Sequence, residues 1–141
     1  KAARDAALAS HQDAVRIARR LGDEDTRSVE ARRDLTGCLL SLATELAAVG
    51  RTADAASAFE EVVTIRREIA KADPMERHEL DLAVALLRLA EFHLDHPGPA
   101  SPSPAELLDQ SAALLTPLKE RSVAGVDAYL AEAAKLRARV R

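Results

Sequence analysis

The residues with chemical potential in this 141-residue chain are few and poorly matched to one another. His93 and His96 stand three apart with Asp95 between them, a spacing that can place two metal ligands on one helix face. His96, however, directly precedes Pro97, and no cysteine or third spaced ligand accompanies the pair, so no metal is expected. A half-buried His93 and an exposed His96 are the simpler expectation. His78 and Glu79 near a helix start read as solvated. Glu60-Glu61 and Asp23-Glu24-Asp25 read as surface chemistry on a helix face and in a loop. The lone cysteine, Cys38, excludes an internal disulfide and, on a crowded helix face, reads as an inert thiol. No nucleophile motif, glycine-rich phosphate loop or positioned carboxylate pair is present. The chain is therefore expected to be no enzyme and to carry no cofactor.

Charge narrows the choice of partners. Twenty basic and 23 acidic residues give a net charge of −3, mixed along most of the sequence, and aromatics are 2%. Nucleic-acid binding needs a basic footprint or stacking rings, and neither is broadly available. Only the tail, with Lys135, Arg137, Arg139 and Arg141, is locally basic. Cations there complement a helix C-terminus, and a nucleic-acid or acidic-partner contact is the alternative use. No apolar run approaches the roughly 20 residues that span a bilayer. With no signal-peptide pattern, the expected location is cytoplasmic. The first residue, Lys1, is no initiator methionine, which leads to an expectation of a chain either excised from something larger or processed.

Such side chains must be positioned by helices. Alanine and leucine fill 50 of the 141 positions, and β-branched and aromatic runs are lacking. Apolar spacing predicts six helices at 2–21, 26–49, 52–72, 75–95, 103–120 and 123–140. Asp73-Pro74-Met75-Glu76 and Ser103-Pro104-Ala105-Glu106 read as helix starts, each with a capping oxygen and proline in the first turn. Gly22 and Gly50 read as left-handed stops, and Thr52 as the next cap. Short connections impose antiparallel neighbours, while Pro97, Pro99 and Pro102 make 96–103 the one extended loop. Pro117 is expected to kink or break the fifth helix, and Gly125 to weaken the start of the sixth.

The helices repeat. Ala7, Ala14, Val15 and Ile17 recur 48 residues later as Ala55, Val62, Val63 and Ile65. A further displacement of 50 gives Ala105, Ala112, Ala113 and Leu115, placing Asp109 where Phe59 stands. Between them, Asp34-Leu35, Leu39-Leu40 and Leu42-Ala43 recur 47 residues later as Asp81-Leu82, Leu86-Leu87 and Leu89-Ala90. Periods of this kind mark stacked helical hairpins.

Leu39, Leu42-Ala43, Leu46, Gly50, Ala55, Phe59, Val62 and Ile65 stand in the order and spacing of a tetratricopeptide repeat, and the chain resembles that family. The long period is closest to the long-helix arrays of kinesin light chains and bacterial signalling proteins. Within one domain, 1–141, this resemblance implies a half-repeat at 2–21, a repeat at 26–72, a degenerate repeat at 75–120 and a terminal helix at 123–140. It implies an all-α hairpin solenoid that binds a protein or peptide, as a segment of a larger bacterial regulatory protein. The family's concave wall maps onto Arg33, Gly37, Leu40, Ser41 and Thr44, and then Val84, Leu87, Arg88 and Glu91. Leu40 and Leu87 either pack between helices or form an apolar stripe for a partner helix. The Asn and Lys/Arg clamp that some repeats use for peptide carboxylates is not matched at Gly37/Ser41 or Val84/Arg88. The alternative reading is a structural unit that self-associates through its unpaired end half-repeats.

Overall fold

A computed structural model describes residues 1–141 as six helices with no strand. They are α1 (Ala2–Glu24), α2 (Val29–Ala48), α3 (Thr52–Ala72), α4 (Glu76–Asp95), α5 (Pro104–Glu120) and α6 (Val126–Arg139). The all-α expectation holds, and 96–103 is the loop between α4 and α5. The chain divides into two compact units, Lys1–Ile65 and Arg66–Arg141, with the boundary inside α3.

Local chemistry moves several boundaries from their expected places. Gly22 stays helical and buried, and α1 runs on to Glu24. The stop comes instead from a turn in which the Asp25 carboxylate accepts the Arg27 N–H at 3.1 Å. Ser28 then caps α2 by accepting the Ala31 N–H at 3.1 Å, so α2 starts three residues later than expected. Gly50 does end α2 in the left-handed conformation, at φ 83°. Gly50 N–H donates to Ala47 O and Arg51 N–H to Leu46 O, the paired bonds that satisfy a helix end. Ser122 closes α5 in the same way without glycine, at φ 58°, with Val123 N–H donating to Leu118 O. That stop, together with Gly125 at φ 85° as the residue before α6, delays the last helix to Val126. Thr52 is the first residue of α3 rather than its cap.

Prolines behave unequally. Ser103 caps α5 as expected, accepting the Glu106 N–H at 3.2 Å. Asp73 does not cap α4. Its backbone carbonyl is taken by Met75 N–H and by His78 Nδ1, both at 2.8 Å, and the helix begins only at Glu76. Pro117 lies within α5 without ending it. Both Pro117 and Ala113, whose carbonyl loses its usual donor, are exposed, so water can serve the unpaired oxygen.

In the first unit α1 and α2 pack as a hairpin, and Arg19 of α1 forms a two-pronged ion pair with Glu61 of α3, at 2.6 and 3.1 Å. In the second, α4 and α5 form a hairpin closed at one end by Arg121, which reaches Glu76 and Glu79 at 3.4 Å each. Helix α6 touches both members of that hairpin. It runs parallel to α4, as Arg139 pairing with Asp95 at the two C-terminal ends requires, and antiparallel to α5, as Arg137 pairing with Asp109 requires. Ser111, fully buried on α5, donates its hydroxyl to the Ala83 carbonyl of α4 at 2.9 Å. This satisfies a polar group that would otherwise be costly at that depth.

Burial fixes the register of the repeat. Four of the five buried residues of α2 (Leu35, Thr36, Leu39, Ala43) fall 47 residues before Leu82, Ala83, Leu86 and Ala90, all buried on α4, whereas the fifth, Leu46, meets the half-buried His93. For α3 and α5 the displacement is 49, not the 50 expected from sequence. Ala58, Phe59, Val62 and Ile69 then meet Leu107, Leu108, Ser111 and Leu118, every one of them buried. Leu108, not the exposed Asp109, is the counterpart of Phe59. Against the 47 that relates α2 to α4, the two extra residues fall between the buried sets of α4 and α5, a stretch that includes the 96–103 loop. Polar contacts agree: Arg19 to Glu61 in the first unit is matched by Arg67 to Gln110, at 2.9 Å, in the second. Arg67 lies 48 residues after Arg19, and Gln110 lies 49 after Glu61.

Candidate functional site

The residues expected to face a partner divide once their burial is known. On α2, Gly37, Ser41 and Thr44 are exposed and Leu40 and Arg33 half-buried, so this face is open to an incoming chain. The Thr44 hydroxyl donates to Leu40 O at 2.9 Å, within its own helix, and leaves the surface unobstructed. No Cβ added at Gly37 would meet an atom within 4 Å. On α4 the picture is different. Leu87 is 0% exposed, which makes it core and removes it from the wall. Val84 and Glu91 are half-buried.

Arg88 is spoken for. Its guanidinium makes a fork with the Glu132 carboxylate of α6, one arm at 3.2 Å, and lies 3.6 Å from Glu91. The hydrogen bond to Glu132 raises the guanidinium's pKa, with burial opposing and the charges of Glu132, Glu91 and Tyr129 assisting. Sequence spacing could identify α4 as a repeat helix but not that α6 would lie along the same side. Each partner of the pair is 28% exposed, so solvent screens the attraction only in part. A double-mutant cycle on Arg88→Ala and Glu132→Ala, read by urea unfolding, is expected to give a coupling of about 0.5–1 kcal/mol. A coupling indistinguishable from zero would show that α6 is held by its apolar contacts alone.

The histidines are placed by packing. His96 is exposed and His93 half-buried, as expected. The Nδ1 of His96 lies 3.1 Å from Phe92 O, and its ring stacks on Phe92 at 4.6 Å. His93 lines a cleft of about 660 Å³ with Leu94, Pro104, Arg139 and Arg141, where two guanidinium groups oppose a bound cation. His78 corrects the expectation of a solvated side chain: it is 1% exposed, with Nδ1 on the Asp73 carbonyl and Nε2 without a partner. Cys38 is half-buried on the groove between α1 and α2.

That groove was not foreseen, although its signal was in the sequence. It occupies about 690 Å³, and its apolar lining is Ala14, Ile17, Ala18, Leu21, Ala31 and Cys38. Its rim carries Glu24, Asp25, Glu30 and Asp34, and no lysine or arginine lines it. Ile17 and Leu21 are 55% and 54% exposed, with Met75 the only other large apolar side chain so open. The acidic run at 23–25, expected as surface chemistry in a loop, supplies two of the lining carboxylates, Glu24 and Asp25.

No helix is long and apolar enough to cross a membrane. Comparisons with family models, with curated proteins and with solved structures find no match to this chain.

Proposed function

We propose that this chain is a protein–protein interaction module of the tetratricopeptide type, presenting the α2 face around Gly37, Leu40, Ser41 and Thr44 to a peptide or helix of another protein. The observation that carries the proposal is the repetition of one contact at equivalent places, Arg19 with Glu61 and Arg67 with Gln110. Reuse of one helix-to-helix contact in each unit supports a repeated-hairpin architecture, and repeated hairpins of that kind serve recognition. Gly37, Ser41 and Thr44 stand exposed on one face of α2 at helical spacing. The second half of the expected wall contributes less, because Leu87 is interior and Arg88 is held by α6.

The test replaces the open face without disturbing the core. A Gly37→Glu, Ser41→Glu, Thr44→Glu triple variant introduces three carboxylates at exposed positions, with space for the new Cβ at Gly37. Its helicity by circular dichroism is expected to match the parent, while partner protein cross-linked to it in extracts of the source cells falls at least tenfold. Recovery of the same partners in the same amounts with and without the triple change would sink the assignment of this face.

A further inference from the structure

We draw no further inference here: the strongest candidate, the basic cleft at the C-terminal ends of α4 and α6 lined by His93, Arg139 and Arg141, opens beside the final residue of the chain, and nothing in the structure shows what covers it.

Discussion

Phe59→Ala is expected to destabilise the fold by about 3–5 kcal/mol, the range for truncating a buried aromatic ring. Phe59 is 6% exposed, and its repeat counterpart Leu108 is 1% exposed, so neither position has solvent ready to fill the vacated space. The loss combines transfer of the ring from water with a cavity that the helix backbone can collapse only partly. For a domain of ordinary stability, about 5–15 kcal/mol, this would consume a large fraction of the whole. The matched control is Thr64→Ala, an exposed site on the same helix, expected within about 0.5 kcal/mol of the parent. Arg66, which the bare sequence offers as such a control, is unsuitable, because it is half-buried and donates to Asp81 O at 3.0 Å. Urea unfolding followed by circular dichroism measures both changes. Comparable losses at Phe59 and Thr64 would overturn the register.

The second large effect is at Leu87. Were it a wall residue, Leu87→Asp would be a surface change with little effect on stability. At 0% exposure the substitution instead removes a packed side chain and leaves a carboxylate with no cationic partner in the interior. A loss of more than about 4 kcal/mol is expected, enough to abolish the cooperative thermal transition. Leu87→Met, which keeps the volume, should cost less than about 1.5 kcal/mol. Thermal melts of the three proteins decide the matter. Retention of the parent's melting temperature by Leu87→Asp would return Leu87 to the binding face.

These two residues show how far spacing reaches. The alignment by 47 pairs Leu40 with Leu87 and cannot tell them apart, since both are leucines at the same helical phase. Folding separates them, leaving Leu40 half-buried and Leu87 enclosed. The second arises in the unit where α6 lies along α4 and ties Arg88 to Glu132. Likewise Ile17 and Ile65 look equivalent in sequence, yet Ile17 is open and Ile65 half-buried. Whether an apolar stripe is core or docking surface depends on what element stands opposite, and periodicity carries no information about that.

The all-helical fold, the Gly50 stop, the Ser103 cap and the 96–103 loop are written in local residue chemistry. Helix propensity, capping oxygens and proline act within a few residues of themselves, so they are legible without tertiary knowledge. Apolar spacing also determined the 47-residue recurrence of α2 in α4, because both helices bury the same face. Tertiary structure alone decided the one-residue slip at α5, the burial of His78 and Leu87, and the partner of Arg88. It also decided the exposure of Ile17 and Leu21 on α1. Each of these rests on residues far apart in the chain meeting or failing to meet. A burial pattern reports that some partner is needed; only the fold says whether the chain provides it.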